Sequence, residues 1–275
     1  MRHALQLGLD SGSSSTALRA YNNLMTFLEY DDRVDEALDL GIAALELARR
    51  TGDRTWETGV VATLLVPLFL AGRWEELLER ADELEQLGAH VVFGEELDVV
   101  AVVHALQGDF ERADALLDVV SGSAPPDVQA RSMRFGCIAA VRRAEGDARR
   151  AFEAAEAAID AGKMLPFAFI GIKLGLIGAI ESAFDLGDEA KAEQMLVRIE
   201  SLLPGESTPF LDAVAARFRA RLSANRGIAG TDASFKGAEA KFRRLSTPFW
   251  LAMTLLEHAE WLVAEKGSKE AGSLL

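Results

Sequence analysis

The residues of this chain that come closest to a catalytic motif lie near its start, between Gly8 and Thr16. They read Gly-Leu-Asp-Ser-Gly-Ser-Ser-Ser-Thr. In a loop of this composition, backbone N–H groups and hydroxyls can surround a phosphate while the carboxylate of Asp10 handles a metal ion. The leucines at every second position from 5 to 9 alternate as they would in a strand that leads into such a loop. The spacing therefore makes phosphoryl transfer one function to test.

This segment resembles the phosphate loop of sugar kinases and related actin-like ATPases, but its surroundings predict a different structure. In those enzymes a hairpin strand follows the loop, whereas residues 17–28 have the periodicity of a helix. The sequence downstream contains no second phosphate loop and no Gly-rich adenosine site. We therefore expect a polar connection between two helices, with Ser and Thr side chains as helix caps. Phosphotransferase activity through residues 8–16 remains the weakest of three functional hypotheses.

The histidines and the single cysteine do not form a catalytic or metal-binding pattern. The histidines lie far apart in the chain, at His3, His90, His104 and His258, without the i, i+4 spacing that directs two imidazoles to one metal. His258 lies between Glu257 and Glu260 and could act as a base, but an amphipathic helix produces the same string. Cys137 lies in an apolar stretch, which predicts a buried thiol, and one cysteine excludes an intrachain disulfide. We expect no enzyme activity, no metal site and no cofactor.

The composition predicts a helical protein with a large core and an acidic surface. Of the 275 residues, 49% are hydrophobic and only 7% are aromatic, which favours helices over strands. The 29 basic and 43 acidic residues give a net charge of −14, which repels phosphate backbones and anionic lipids. We therefore expect neither nucleic acid nor membrane as a partner, and a cytoplasmic location. Short basic runs such as Arg217/Arg219/Arg221 are expected on solvated helix faces.

A six-residue phrase that occurs five times indicates how the helices are arranged. Its copies begin at Asp32, Gly72, Gly108, Gly146 and Gly187, with spacings of 40, 36, 38 and 41 residues, and each ends on Ala or Leu. A period of this length is typical of stacked structural repeats. The glycine can end one helix in the left-handed conformation, and the Asp that follows it in three copies can cap the next helix. The small residue at the end of the phrase lets two helices approach closely.

We therefore predict an all-α fold of six to seven antiparallel helix pairs in one array over residues 1–275, less regular at 205–275. After a first helix at 2–9, the predicted pairs are 16–30 with 34–51, 55–71 with 74–87, 93–107 with 110–121, 127–145 with 148–162, 166–186 with 189–203, 208–225 with 232–246, and 248–266 with a short helix at 268–275. Because the first helix lacks a polar capping unit and the last has barely begun, we expect a segment of a longer protein.

The first pair of helices resembles the tetratricopeptide repeat. The residues that occupy the large, apolar and small positions of that pattern are Tyr21, Leu24, Leu28, Ala37, Gly41, Ala44 and Leu45. Pro204 stands where the pattern has its terminal proline. The other units match more loosely, and their spacing exceeds the roughly 34 residues of the pattern. The resemblance implies a right-handed superhelix with a concave inner groove.

A second resemblance concerns function. Residues 242–262 and the stretch 50–54 are similar to the end region of large actinobacterial-type regulators, which carry an adenylate/guanylate cyclase or DNA-binding domain, then an AAA-type ATPase, then a helical-repeat tail. This resemblance implies a non-catalytic interaction or sensor segment, with cyclase or ATPase chemistry in a preceding part of the parent. Its partner would be a protein or peptide, including the parent's own ATPase or catalytic domain. A free-standing scaffold that binds peptides or proteins is the alternative.

The tetratricopeptide geometry also predicts which residues contact a partner, because it places the first helix of each pair along the inner groove. These residues are Arg19, Asn22, Asn23 and Thr26 in the first unit, Ala62, Val66 and Phe69 in the second, Asp98 and Val102 in the third, and Lys173, Ile177 and Phe184 in the fifth. Only Arg19, Asn22 and Asn23 resemble the residues with which carboxylate-clamp members of the family hold a peptide C-terminus. A mixed apolar groove for a helix or an intramolecular domain is the better expectation.

Overall fold

Helices account for all the regular structure in the described part of the chain. The computed structural model describes residues 1–86, 94–119 and 127–266, and no strand occurs within these ranges. The helices are α1 (Arg2–Asp10), α2 (Ser14–Tyr30), α3 (Val34–Thr51), α4 (Arg54–Leu70), α5 (Trp74–Gln86), α6 (Gly94–Leu106), α7 (Phe110–Val119), α8 (Val128–Ala144), α9 (Ala148–Ala161), α10 (Ile170–Asp185), α11 (Glu189–Glu200), α12 (Pro209–Asn225), α13 (Thr231–Arg244) and α14 (Pro248–Lys266). The all-α prediction is confirmed, and the short helix expected at 268–275 lies outside the described residues.

The six-residue phrase forms the turns between helices, as predicted. Its four glycines, at 72, 108, 146 and 187, all have the left-handed conformation, with φ of 67°, 87°, 86° and 73°. After three of them, Asp109, Asp147 and Asp188 each accept a hydrogen bond from the backbone N–H three residues further on. The last residues of the five copies are all 0% exposed: Ala37, Leu77, Ala113, Ala151 and Ala192. Each part of the phrase therefore has the structural role expected from its chemistry.

The even-numbered helices from α2 to α14 form the centre of the molecule. Each of them contacts the next even-numbered helix as well as its neighbours in the chain. All fourteen residues from Ile170 to Ala183 in α10 are buried, and a helix that is apolar on all sides belongs in an interior. An odd-numbered helix such as α5 buries a single stripe, Leu77, Ala81 and Leu84. The odd-numbered helices thus cover the even-numbered ones.

Helices α8 and α10 cross unusually closely, and glycine makes this possible. A Cβ atom on Gly171 would lie 2.5 Å from the backbone nitrogen of Met133, and one on Gly136 would lie 2.8 Å from the carbonyl oxygen of Gly171. Real Cβ atoms essentially never approach other atoms this closely. The backbones of the two helices are therefore in direct contact.

The array folds back so that its early helices touch its late ones. Phe69 at the end of α4 packs edge-on against Trp250 of α14, with ring centroids 5.7 Å apart, and Trp74 of α5 lies 5.3 Å from Phe249. Tyr30, at the end of α2, packs edge-on against Phe169 at the start of α10. Much of the surface that would line an inner groove is consequently covered by the chain itself.

None of the helices within the described ranges is both long and apolar enough to cross a bilayer.

Candidate functional site

The twelve residues predicted for the groove fall into three groups. Six are in the interior, at most 6% exposed: Ala62, Phe69, Asp98, Val102, Lys173 and Ile177. Three line one pocket, Asn22, Thr26 and Val66, whereas Arg19 and Asn23 are exposed and Phe184 is half-buried. The twelve residues therefore do not line one open groove along all four units. The reason is that helices early in the chain pack against later ones and bury these residues, as Phe69 does with Trp250 and Lys173 does with Asp32.

The pocket, which we call the α2–α10 pocket, lies between α2, α4, α8 and the start of α10, and its volume is about 230 Å³. The residues around it are Asn22, Thr26, Glu29, Tyr30, Thr63, Val66, Gln129, Met133, Phe169 and Ile170. Half of them offer polar groups, and the other half are aromatic or apolar. Pockets for drug-sized ligands usually measure about 300–1,000 Å³, so this one suits a smaller molecule.

A short hydrogen-bonded chain holds the polar side of the pocket. The hydroxyl of Thr63 lies 2.9 Å from Oδ1 of Asn22 and 2.9 Å from the carbonyl oxygen of Gly59. The hydroxyl of Thr26 donates to the backbone carbonyl of Asn22 over 3.2 Å. The contact with Thr63 uses Oδ1 of Asn22, while its Nδ2 makes no hydrogen bond to any described residue. Since Asn22 lines the pocket, its N–H groups are available to a ligand.

Glu29 supplies the carboxyl group of the pocket. It is only 8% exposed, and within the described ranges its carboxyl forms neither a hydrogen bond nor an ion pair. Burial raises the pKa of Glu29 to about 7; the Lys173 ammonium lowers it to a lesser degree, and the Asp32 carboxylate raises it further. The group is consequently close to half ionised at neutral pH, and it can release a proton when a cation approaches.

Beside the pocket, Asp32 joins three parts of the fold. Its Oδ1 lies 2.5 Å from Nζ of Lys173, and its Oδ2 accepts a hydrogen bond of 2.6 Å from the backbone N–H of Phe210. The side chains of Lys173 and Asp32 are 1% and 5% exposed. Asp32 has φ of 58°, the left-handed conformation that glycine has in the other four copies of the phrase. The carboxylate explains why this copy has Asp in place of Gly.

A second buried charge cluster surrounds Arg217, which is 1% exposed and donates to Glu181 and Glu257 over 2.8 Å. Burial alone would lower the pKa of Arg217, but the two carboxylates outweigh burial and raise it. Burial likewise opposes ionisation of Glu181, yet Arg217 and Arg143 hold its pKa below the ordinary value. The prediction of a solvated helix face is wrong for Arg217. Glu181 and Arg143 also line a small pocket of about 70 Å³.

His258 is also buried between carboxylates, and they are not its neighbours in sequence. Its Nδ1 lies 2.7 Å from Oε1 of Glu239, and its Nε2 lies 3.1 Å from Oδ1 of Asp232. The ring is 0% exposed and stacks on Phe235, with centroids 4.9 Å apart. This arrangement ties α14 to α13 and leaves no room for a substrate at the ring.

The segment 8–16 does not form a phosphate loop. Gly8 belongs to α1, and a Cβ atom there would lie 2.8 Å from the backbone nitrogen of Ala17, whereas Ser14 and Thr16 belong to α2. The expected connection between two helices is confirmed. The expected side-chain cap is wrong, because the hydroxyl of Ser13 lies 2.8 Å from the hydroxyl of Thr16 and makes no bond to a backbone N–H of α2.

Glu29, Asp32 and Thr63 were not predicted from the sequence as site residues. Two signals pointed to this region: Asp32 departs from glycine at the first position of the phrase, and Lys173 interrupts an otherwise apolar run. Neither signal identified the partner of the charge, because 141 residues separate the two side chains.

Neither metal-ligand geometry nor comparison with known proteins assigns a function to the α2–α10 pocket. Among the side chains that the structure describes, no group of three or more His, Cys, Asp or Glu residues is placed to hold a metal ion. No protein-family model matches the chain, and a search of curated proteins returned no significant match. The chemistry of the α2–α10 pocket is therefore inferred from its own residues.

Proposed function

We propose that this chain is a non-catalytic interaction and sensor segment of a larger cytoplasmic signalling regulator, built as a right-handed, tetratricopeptide-like superhelix of helix pairs. Left-handed turns, buried small residues and contacts between successive even-numbered helices support the repeat architecture. The resemblance of residues 242–262 to the tails of cyclase and AAA-type regulators supports the proposal that the parent protein is a regulator of this kind. The ATPase or catalytic domain of that parent protein is the proposed partner.

The observation that carries this proposal is a cleft of about 1,080 Å³ at one edge of the array, which we call the loop-side cleft. It is formed by the segments 27–33, 163–168 and 205–209. Phe27 is 52% exposed and Met164 is 84% exposed there, with Arg33, Lys163 and Glu206 among the lining residues. Exposed apolar groups bordered by charges are typical of a protein-binding surface. We therefore assign partner binding to this cleft, since most of the predicted inner groove is covered.

Asp32 offers a route by which partner binding could be transmitted to the interior. The three segments that form the cleft adjoin the groups that meet at Asp32, which lies in the first segment and binds Lys173 and the N–H of Phe210. A partner that prefers one arrangement of these segments shifts the population of the parent toward that arrangement.

Site-specific photo-crosslinking in the full-length protein tests the proposal. A crosslinking residue at position 164 is expected to capture the ATPase or catalytic domain of the same polypeptide. The matched control is position 197 on α11, where Val197 is 49% exposed but outside the cleft. Equal capture from both positions, or no capture from position 164, would contradict the assignment.

The same experiment separates the regulator from the free-standing scaffold. Capture of a separate polypeptide supports the scaffold, and the complete reading frame gives a second test. An upstream cyclase or nucleotide-binding domain supports the regulator, whereas a native start at Met1 supports the scaffold.

A further inference from the structure

We propose that the α2–α10 pocket binds a small organic cation through the carboxylate of Glu29. The ligand class is a molecule with one ammonium group and a short apolar or aromatic body. This inference goes beyond partner binding at the loop-side cleft and does not depend on it.

The pocket limits the size of the ligand. Its volume of about 230 Å³ lies below the roughly 300–1,000 Å³ of pockets that hold drug-sized ligands. A single aromatic ring with an aminomethyl group is of this size. A peptide or a nucleotide is too large to be enclosed.

The charges around Glu29 favour a cation. The carboxylate of Asp32 is already engaged by the Lys173 ammonium and by the N–H of Phe210. Lys173 in turn lies against that carboxylate and 5.6 Å from the centre of the Phe210 ring. Two carboxyl groups thus share one ammonium, and ionised Glu29 has no cation of its own. An anionic ligand would lie beside the ionised carboxylate of Glu29, which Coulomb repulsion opposes.

The other walls fit the body of such a molecule. Tyr30 and Phe169 stand edge to face with centroids 6.4 Å apart, and aromatic rings attract ammonium groups and the CH groups next to them. Val66 and Met133 provide apolar contact. The free N–H donors of Asn22 Nδ2 can bind an acceptor atom on the ligand. The pocket therefore combines a counter-charge, an apolar wall and one polar orienting group.

Binding of a cation should be linked to proton release. Burial raises the pKa of Glu29 to about 7, so part of the carboxyl population is protonated at neutral pH. The charged groups that face it are Lys173 and Asp32, and its neighbour Tyr30 has a pKa raised by burial and then by Glu29. A cation binds the ionised form, so its affinity should increase as the pH rises through 7.

Titration with benzylammonium, benzyl alcohol and benzoate, followed by NMR and by calorimetry, tests the inference. Benzylammonium is expected to shift resonances around the pocket in a saturable manner, more tightly at about pH 8 than at about pH 6. Benzyl alcohol should bind at least tenfold more weakly, and benzoate should not bind. Calorimetry in buffers of different ionisation enthalpy should show a proton released near neutral pH.

Two variants that remove the same charge complete the test. Glu29→Gln should lose at least tenfold in benzylammonium affinity, together with the pH dependence. Glu46→Gln alters an exposed carboxyl on α3 and should bind as the unchanged protein does. No saturable benzylammonium binding, equal binding by Glu29→Gln, or tighter binding of the alcohol or of benzoate would each overturn the inference.

Discussion

The ammonium of Lys173 lies 2.5 Å from the carboxylate of Asp32, although 141 residues separate them in the chain. Both side chains are almost fully buried. The contact joins the turn between α2 and α3 to the first turn of α10, and the second oxygen of Asp32 extends it to the start of α12. A residue that occupies a glycine position in the repeat thus serves as a long-range connection.

Asp32→Gly should destabilise the protein even though it restores the residue found in the other four copies. Glycine adopts the left-handed conformation freely, whereas a residue with a Cβ atom loses about 1–2 kcal/mol in it. The substitution also leaves Lys173 buried without its partner, which costs about 3–5 kcal/mol. We expect a net loss of about 3 kcal/mol in the free energy of unfolding, measured by urea denaturation.

The double variant Asp32→Gly/Lys173→Met is the control, since it removes both charges. It should regain most of the lost stability, because replacing a buried ion pair by apolar groups is often neutral. If Asp32→Gly alone were as stable as the unmodified protein, the ion pair would contribute nothing to stability.

Glu29→Gln should stabilise the protein above neutral pH. The folded-state pKa of about 7 lies above the ordinary value of 4.5, so the native protein holds a proton that the unfolded chain releases. Stability from this group is therefore complete below about pH 4.5 and is lost as the pH rises through about 7. The loss is about 3 kcal/mol, at about 1.4 kcal/mol per pKa unit. The urea midpoints of the unmodified protein and of Glu29→Gln should move apart as the pH rises across this range. The midpoints of the unmodified protein and of Glu46→Gln should stay together.

Two glycine-to-alanine substitutions should have opposite effects. In Gly171→Ala the new Cβ would meet the backbone of α8 at 2.5 Å, so the helices must separate and stability should fall by about 3 kcal/mol. In Gly237→Ala, on the exposed face of α13, the new Cβ meets nothing within 4 Å. There the better helix propensity of alanine should add about 0.5–1 kcal/mol. Thermal melting compares the two, and a destabilised Gly237→Ala would contradict this account.

Arg217→Met and Arg219→Met should differ strongly, although both residues lie on α12 and both contact two carboxylates. Removing Arg217 leaves Glu181 and Glu257 buried without their main cation, for a loss of about 3–5 kcal/mol. Arg219 pairs with Glu193 and Glu200 at the surface, where such pairs contribute at most about 1 kcal/mol. Guanidinium chloride screens ion pairs, so urea is the appropriate denaturant. Similar losses in both variants would refute the distinction.

ATP should not bind to the segment 8–16. Gly8 lies within α1 and is buried against the backbone of Ala17, and Ser14 and Thr16 belong to α2, so these residues do not form the glycine-rich loop that surrounds a phosphate. Calorimetric titration with Mg-ATP should give no binding heat. Micromolar affinity that Ser13→Ala abolishes would restore the phosphotransferase hypothesis.

Local chemistry predicted the helices well. Glycine at positions such as 108 and 146 has a conformational preference that does not depend on the rest of the fold, and the small residues after it are buried as expected. The same reasoning placed helices within a few residues of their observed bounds. The prediction succeeded because each signal acts within a few residues of its own position.

The prediction of a groove depended on how distant units meet. The repeat pattern does not contain that information. Phe69 and Lys173 were assigned to an open inner face, but they contact Trp250 and Asp32 across the interior. Arg217 has the same sequence context as Arg219, and only its orientation on α12 decides which of them is buried. Long-range pairing of this kind depends on how helices far apart in the chain pack against one another.

The contacts between Phe69 and Trp250 and between Asp32 and Lys173 also affect how the molecule folds. Repeats that touch only their neighbours can open one end at a time. Here α4 of the second unit is packed against α14, the last helix in the described residues, and the first unit against the fifth, so none of these parts can open without disturbing another. The chain should therefore unfold as a single cooperative unit. Its refolding should be slower than that of an open array of equal length, because distant segments must meet before the structure is stable.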